Sequence, residues 1–255
     1  MIKLINKRTQ GLLFHYAHFL CDCLFPEIIN EVFKYNEVIR EKSIHQTIGN
    51  FNKIYSNVMN IKNTELLNNS FTNLNIDTLS YNNKEDYSDK INFEKFRTYI
   101  FSRYNINNLL YNSAYPEVLL IKRGGPIKLI DDEYLSKKNY NRTTGKQRRE
   151  IKQIFKLEVH LKNKYKNKFK SVYFEKTSFK QQILYFNNAK LIICAHGAVM
   201  SNMFFCKEKA SIIEVTCGSN WQFFNTLSEI LNLNHIKCHN NDFNSIINCI
   251  NNIKL

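Results

Sequence analysis

The sequence predicts an α/β protein in which helices cover both faces of a parallel sheet. From residue 118 onward, short apolar segments alternate with longer segments that carry apolar residues at helical spacing. The segment 191–195 is apolar throughout, which is typical of a strand that is buried on both faces of a parallel sheet. With 255 residues, 44% of them hydrophobic, the chain is long enough to bury a core as one domain or as two small ones.

The first half of the chain is predicted to be mainly helical. Steps of three and four residues bring His15, His18 and Asp22 to roughly one face of an opening helix. The residues of this helix that we expect to face the core are Leu12, Phe19 and Ile28. The segment 41–90 is Asn-rich and weakly periodic, so we expect it to be irregular. A second helix is indicated by four apolar residues at helical spacing: Phe93, Phe96, Ile100 and Tyr104.

The second half of the chain carries the predicted sheet. We expect strands at residues 118–121, 171–174, 191–195 and 211–216. We expect helices at residues 148–165, 179–187 and 221–231, and a last helix whose apolar face is Phe243, Ile246, Ile247 and Ile250. The polar segment 126–147 is predicted to be a loop or an insertion. We place a domain boundary near residue 112, which gives domains of residues 1–112 and 113–255.

The segment 190–206 is the most informative part of the sequence. It predicts a strand, a tight turn at His196-Gly197 and a short helix, and a further strand ends near Glu214. Glycine lets the backbone turn sharply and approach a ligand closely. The helix after the turn presents N–H groups and a positive dipole end, which together favour anion binding. His196 follows the strand at its carboxyl end, where open α/β sheets bind ligands.

Composition limits the classes of protein that the chain can belong to. Its 36 basic and 22 acidic residues give a formal charge of +14, which invites a nucleic-acid interpretation. We expect no nucleic-acid partner, because most of the basic residues are dispersed and the chain is generally rich in Asn, Lys and Ile. Seven cysteines without a regular framework indicate reduced thiols. The interrupted apolar segment 12–25 fits neither a signal peptide nor a membrane span, so we expect a cytoplasmic protein.

Three blocks of the sequence follow the order of a known family. In the first, residues 14–26 read FHYAHFLCDCLFP, and in the second a helix at 93–104 precedes a strand that ends in Arg123. The third block combines these residues: Ser178-Phe179-Lys180-Gln181-Gln182, Ala189, His196-Gly197-Ala198, Asn202, Phe205 and Glu214. Together the blocks resemble the glycosyltransferase 61 family, which includes plant xylan-decorating transferases and protein O-GlcNAc transferases of the secretory pathway.

The resemblance implies a GT-B-like fold with two Rossmann-like domains. A small N-terminal domain would lie on the acceptor side, and the C-terminal domain would bind the nucleotide-sugar. The implied reaction is inverting transfer of a sugar from a nucleotide-sugar, which we expect to be a UDP-sugar, to a glycan or protein hydroxyl. We expect no cofactor beyond this co-substrate.

The donor site must stabilise the negative charge that develops on the diphosphate leaving group. The helix N-terminus after Gly197, with Arg123 and one of Arg148 or Arg149, can do so without a metal ion. The family pattern has a second arginine soon after the first. Either Lys128 takes its place, or 126–147 is an insertion and Arg149 is the counterpart; we prefer Arg149, because residues 149–153 fit an R-x-I-x-N pattern with Gln for Asn. The donor-binding residues that the resemblance implies are Arg123, Arg149, Gln182, His196, Gly197, Ala198, Asn202 and Glu214.

Several of these donor-site residues have structural alternatives. His196 contacts the donor phosphate or sugar, or else it is a hydrogen-bonded turn histidine. Asn202 binds or caps, or else it packs the helix. Glu214 accepts hydrogen bonds from ribose hydroxyls, or else it is a solvated carboxylate at the end of a strand. For Gln182 we favour support of the sheet or of the nucleotide's surroundings over chemistry.

His18 and Asp22 are the candidate catalytic residues. They lie four residues apart on one helix face, as expected of a base with an orienting carboxylate, and Asp22 is an equally good candidate base. The alternative is a buried His–Asp pair that ties the helix to the domain interface.

Three other interpretations compete with a metal-free transferase. Asp131-Asp132-Glu133 lies in a polar loop, which favours a solvated charge cluster over a metal site. His18, Cys21 and Cys23 lack an obvious fourth zinc ligand, so we interpret both cysteines as core residues. The alternative function is a non-catalytic basic protein that binds nucleic acid or acts as a scaffold on a transferase-like fold.

Overall fold

A computed structural model describes residues 2–3, 16–33, 38–39, 51–60, 89–107, 114–125, 149–219 and 222–253. These residues fall into two compact units, the first up to Asn105 and the second from Ile106 onward. The predicted boundary at residue 112 and the predicted loop 126–147 lie outside the described residues, so both stay predictions.

A helical run over residues 16–33 belongs to the first unit. It alternates between α and π geometry in the segments Tyr16–His18, Phe19–Leu24, Phe25–Glu27 and Ile28–Phe33. Phe19 and Ile28 are fully buried, as the sequence predicts, whereas Leu12 and His15 lie outside the described residues. Cys21 and Cys23 are also buried, in agreement with their interpretation as core cysteines.

Two α-helices accompany this run: α1 is Asn52–Met59 and α2 is Lys90–Arg103. The prediction of α2 is confirmed, and its buried Phe93 stacks on Phe25 with ring centroids 4.9 Å apart. Asp89 caps α2, since its carboxylate accepts the Ile91 N–H at 2.8 Å. A two-stranded parallel pair completes the described part of this unit: β1 is Ile2–Lys3 and β2 is Val38–Ile39.

Helix α1 corrects the expectation that the segment 41–90 is irregular. Its composition favours loops, but Tyr55 and Val58, three residues apart, are both fully buried on one face. The Tyr55 hydroxyl also donates to Glu27 Oε1 at 2.6 Å, which ties α1 to the helical run. Tertiary burial therefore outweighs weak intrinsic propensity here.

The second unit contains a five-stranded sheet in which every strand is parallel to its neighbours. Its strands are β3 (Val118–Lys122), β4 (Phe169–Tyr173), β5 (Leu191–Ala195), β6 (Ser211–Val215) and β7 (Asn234–Cys238). The order across the sheet is β4-β3-β5-β6-β7. The predicted α/β class with a parallel sheet is confirmed, and four of the five strands lie where the sequence predicts strands.

Helices cover both faces of this sheet, as predicted. On one face α3 (Ile154–Tyr165) and α6 (Phe243–Asn251) pack against a shared apolar cluster with the strands. On the other face lie α4 (Phe179–Asn188), a 3₁₀ helix (Ala198–Phe205) and α5 (Phe223–Ile230). The chain passes from β3 to β4 in one direction along the sheet, and from β4 to β5, β6 and β7 in the other direction. Because each crossover between parallel strands is right-handed, the helices of these two sets of connections lie on opposite faces.

Two elements depart from the prediction, and the short helix predicted after Gly197 is of the 3₁₀ type. The helix expected from residue 148 begins at Ile154, after Gln153 adopts a left-handed φ of 56° and Ile151 enters the core. Strand β7 was not predicted, because its alternating polar and apolar residues lie at the sheet edge and form no apolar run.

The strand order defines a switch point between β3 and β5. The chain leaves β3 toward β4 on one side, whereas from β5 it continues toward β6 and β7 on the other. Loops after two such strands diverge and leave a crevice at their carboxyl ends, where open α/β sheets bind ligands. In this unit the crevice lies between Arg123, just after β3, and His196-Gly197, just after β5.

Candidate functional site at the switch point of the sheet

Gly197 allows an arginine to lie directly against the backbone after β5. Its φ of 154° and ψ of −169° belong to a region that essentially only glycine occupies. A Cβ built on Gly197 would lie 2.0 Å from Arg123 Nη2, so any larger residue would displace this guanidinium. The turn and Arg123 are therefore in direct contact, although they lie more than seventy residues apart in the sequence.

Arg149 is the second arginine at this turn. Its Nη1 donates to the His196 carbonyl oxygen at 3.5 Å and lies 3.8 Å from the Cβ position built on Gly197. Two guanidinium groups thus converge on the first turn of the 3₁₀ helix, whose opening N–H groups have no partner within the helix. This combination favours a phosphate-like anion.

An open pocket of about 360 Å³ adjoins this turn. Its base is formed by the carboxyl ends of β3, β4 and β5, and Arg123 contributes to its wall. Three cationic side chains and one carboxylate line it: Lys122, Arg123, Lys176 and Glu150. The apolar lining includes Phe155, which is 70% exposed at the start of α3. The pocket therefore combines positive charge with apolar surface, as a site for a phosphorylated organic ligand requires.

A buried polar cluster lies beneath the turn. Glu214, on β6, accepts hydrogen bonds from His196 Nδ1 and from His235 Nε2, the second at 2.8 Å. The exposed fraction is 0% for the Glu214 side chain, 2% for His196 and 4% for His235. The interpretation of Glu214 as a solvated strand-end carboxylate is therefore wrong, since both of its oxygens are held by imidazoles inside the protein.

The two histidines keep Glu214 ionised despite its burial. Burial alone raises the pKa of this carboxyl, but the hydrogen bonds from His196 and His235, together with imidazolium charge beside it, outweigh that effect. The result is a pKa lowered from 4.5 to about 2. The cluster thus contains a fixed negative charge directly below the arginine-covered turn.

Gln182 and Asn202 form a second connection between elements. Gln182 Nε2 donates to the carbonyl oxygens of Phe174 and Thr177, at 3.2 and 3.0 Å. Asn202 Nδ2 donates to Val199 O at 3.0 Å and to Gln182 Oε1 at 3.4 Å. These bonds tie α4 and the 3₁₀ helix together, and Asn202 is fully buried.

The structure thus brings together several of the residues that the sequence singles out. Arg123, Arg149, His196 and Gly197 meet at the turn, and Ala198 opens the 3₁₀ helix beside them. Glu214 contacts this group through His196. His18 and Asp22 lie in the first unit, and nothing in the structure tests their part in a reaction.

Sequence reasoning missed His235 and Ser228, which complete the buried cluster. His235 was not singled out because its strand was not predicted, and its contact with Glu214 depends on the pairing of β6 with β7.

Among the described residues, no group of three His, Cys, Asp or Glu side chains has the arrangement of a metal site. Within the same residues, no helix has the length and apolarity that crossing a membrane demands. Lys128 and Asp131-Asp132-Glu133 lie outside the described part of the chain.

The fold and the site define a doubly wound α/β protein in which two arginines converge on a glycine turn at the switch point of the parallel sheet. The family model for Glycosyltransferase 61 matches residues 16–213, well over half of the chain, and the chain belongs to this family. The protein is therefore a glycosyltransferase, with a sugar donor and an acceptor as substrates. A search of curated proteins finds no significant match.

Proposed function

We propose that the protein transfers a sugar with inversion from a UDP-sugar to a glycan or protein hydroxyl, without a metal ion. The observation that carries this proposal is the convergence of Arg123 and Arg149 on the Gly197 turn. A diphosphate leaving group gains negative charge as its bond to the sugar breaks. Two guanidinium groups already in place can stabilise that charge without rearrangement.

In this proposal the second unit holds the donor. The diphosphate lies against Arg123, Arg149 and the N–H groups that open the 3₁₀ helix, and the rest of the nucleotide occupies the adjoining pocket. Lys122 is held by Glu158, with Nζ 2.9 Å from Oε2, so part of its charge is neutralised. Arg123 and Arg149 are the cationic groups that lie at the Gly197 turn, where this proposal places the diphosphate.

The buried residues of the site support it from below. Imidazole nitrogens hold both oxygens of Glu214. In this proposal Glu214 therefore positions the turn and does not contact ribose. His196 supplies its carbonyl oxygen to Arg149 and its ring to Glu214. Gln182 and Asn202 hold α4 against the 3₁₀ helix.

The first unit would supply the acceptor side, as in a GT-B arrangement of two Rossmann-like domains. His18 or Asp22 would accept the proton of the acceptor hydroxyl while its oxygen attacks the anomeric carbon. The bond between that carbon and the diphosphate oxygen breaks on the opposite face, and UDP leaves. Attack from the opposite face inverts the configuration of the sugar.

The test is a panel of UDP-sugars and GDP-sugars incubated with the protein in EDTA, with release of nucleoside diphosphate as the readout and water as the acceptor. We expect release of UDP from at least one UDP-sugar. R123K should lower the rate at least tenfold, because a point cation does not replace a bidentate guanidinium. R103K, in the first unit, is the control and should retain the rate. Release only from GDP-sugars, or only after a divalent cation is added, would contradict the proposal.

A further inference from the structure

Four polar side chains form a continuous buried chain under the Gly197 turn: Ser228, His235, Glu214 and His196. We propose that His235, held by Ser228, is a positioning residue that fixes the Nδ1–H tautomer of His196 through Glu214. This protonation pattern is a property of the buried cluster itself. The effect of the cluster on the anion site rests on the function proposed above.

The hydrogen bonds of Ser228 determine the protonation of His235. The Ser228 hydroxyl donates its one proton to the Asn225 carbonyl oxygen at 2.7 Å, within α5. The Ser228 oxygen therefore has no proton to donate to His235 Nδ1, which lies 3.3 Å away. It can only accept a hydrogen bond from that nitrogen. Nδ1 of His235 therefore carries a proton.

The other nitrogen of His235 also carries a proton. Its partner, 2.8 Å away, is an oxygen of the ionised Glu214 carboxylate, which can only accept. With protons on both nitrogens, His235 is an imidazolium ion. The buried negative charge of Glu214 is thus compensated by His235, as a carboxylate without water requires.

This compensation leaves His196 neutral. Its Nδ1–H faces Glu214, so the lone pair of the neutral ring is on Nε2. The ring also contacts Phe224 edge-on, with centroids 5.6 Å apart. A single tautomer in a single orientation holds the backbone at residue 196, whose N–H donates to Val215 O at 2.8 Å and whose carbonyl accepts from Arg149.

Ring-nitrogen NMR of protein with ¹⁵N-labelled histidine tests the inference without any ligand. In the wild type at pH 7 we expect two protonated nitrogens for His235 and a neutral Nδ1–H ring for His196. H235Q keeps an N–H donor for Glu214 but cannot carry charge. His196 should then become doubly protonated at the same pH, because it is the remaining group that can compensate Glu214.

The matched control is H239Q, because His239 is exposed and lies just beyond β7. It should leave the His196 nitrogens unchanged. Unchanged His196 signals in folded H235Q would overturn the inference. If H235Q does not fold, S228A is the deciding variant. It removes the oxygen that accepts from His235 Nδ1, so the NMR signal of this nitrogen should move. An unmoved signal would overturn the inference.

A second readout connects the cluster to the anion site. We expect the dissociation constant for UDP to rise about tenfold in H235Q and to be unchanged in H239Q. If the wild type binds no UDP while H235Q still changes the His196 nitrogens, the proposed function fails and the tautomer inference stands. If the nitrogens do not respond while the wild type binds UDP, the inference fails and the function stands.

Discussion

Gly197 is the residue on which both arginine side chains converge. The space above its Cα is occupied by the Arg123 guanidinium, which a Cβ would approach to 2.0 Å. The placement of the Arg123 charge therefore depends on a residue without a side chain. A change at this position therefore moves Arg123 at the candidate donor site.

We predict that G197A weakens UDP binding at least tenfold. The new methyl group displaces Arg123, and the backbone conformation costs an alanine about 1–3 kcal/mol. Calorimetric titration with UDP, together with a thermal melt, measures both effects. The control is G125A, which lines the same pocket but has no atom within 4 Å of the added Cβ. Equal affinity in folded G197A and in the wild type would contradict this placement of Arg123.

Single residues also show what the sequence can predict about the site. His196 and Gly197 were predicted from a strand and a turn, which are local features, whereas Arg123 was predicted from the resemblance to the glycosyltransferase 61 family. The role of His235 was not predictable, because it depends on how β7 pairs with β6, and the sequence around this histidine carries no apolar run. The packing of Arg123 on Gly197 is likewise a long-range contact that no local pattern encodes.

Helix α4 illustrates how an element of the site is fixed in place. Ser178 and Gln181 form a capping box at its start, in which Gln181 N–H donates to Ser178 Oγ at 3.3 Å. One turn further, Gln182 satisfies two carbonyl oxygens of the preceding segment and accepts from Asn202. These contacts indicate that Gln182 stabilises the fold next to the donor site.

We predict that Q182A lowers the free energy of unfolding by about 1–3 kcal/mol, because it removes the Gln182 donor from the Thr177 carbonyl oxygen and one of two donors from the Phe174 carbonyl oxygen. The affinity of the folded variant for UDP should change less than threefold. Urea denaturation and UDP titration measure the two quantities. K180A, an exposed change on the same helix, should affect neither. A large loss of affinity at unchanged stability would show instead that Gln182 contacts the nucleotide.

Strands β6 and β7 carry an acid-sensitive element, the Glu214 cluster. The folded-state pKa of about 2 lies below the ordinary value of 4.5, so the ionised carboxylate stabilises the fold above about pH 4.5. This stabilisation is lost progressively as the pH falls toward 2. The lost contribution amounts to about 2 kcal/mol between pH 6 and pH 3.

We therefore predict that E214Q removes this part of the pH dependence of stability. Urea midpoints at pH 6 and pH 3 should differ less for E214Q than for the wild type. E117Q is the control, because Glu117 forms surface ion pairs with Lys168 and Lys190, which contribute little. Parallel pH dependences for E214Q and the wild type would contradict a strongly lowered pKa of Glu214.

The fold of the second unit was more predictable than its exact bounds. The apolar core of β3, β5 and β6 appears in the sequence as short runs, and α6 appears as one apolar face. The start of α3 was not predictable, because the left-handed Gln153 and the burial of Ile151 are set by packing. Helix α1 was missed for a similar reason, since burial of Tyr55 and Val58 outweighs an Asn-rich composition.

The positive charge of the whole molecule invites a test of the alternative function. We predict that duplex DNA binds with micromolar or weaker affinity at 150 mM salt and does not compete with UDP. This expectation follows because Arg123 lines a pocket of about 360 Å³, which a duplex does not enter. Fluorescence anisotropy with labelled DNA, with and without UDP, measures this. Nanomolar DNA affinity that UDP abolishes would favour the nucleic-acid interpretation.

The proposed function depends on whether the switch point of the sheet binds the diphosphate of a nucleotide-sugar without a metal ion. Calorimetric titration of the wild type with UDP, in EDTA and at physiological salt, with GDP as the comparison, tests it most directly. We expect saturable binding of UDP in EDTA, with weaker binding of GDP. Absence of UDP binding in EDTA, or binding that appears only with a divalent cation, would contradict it.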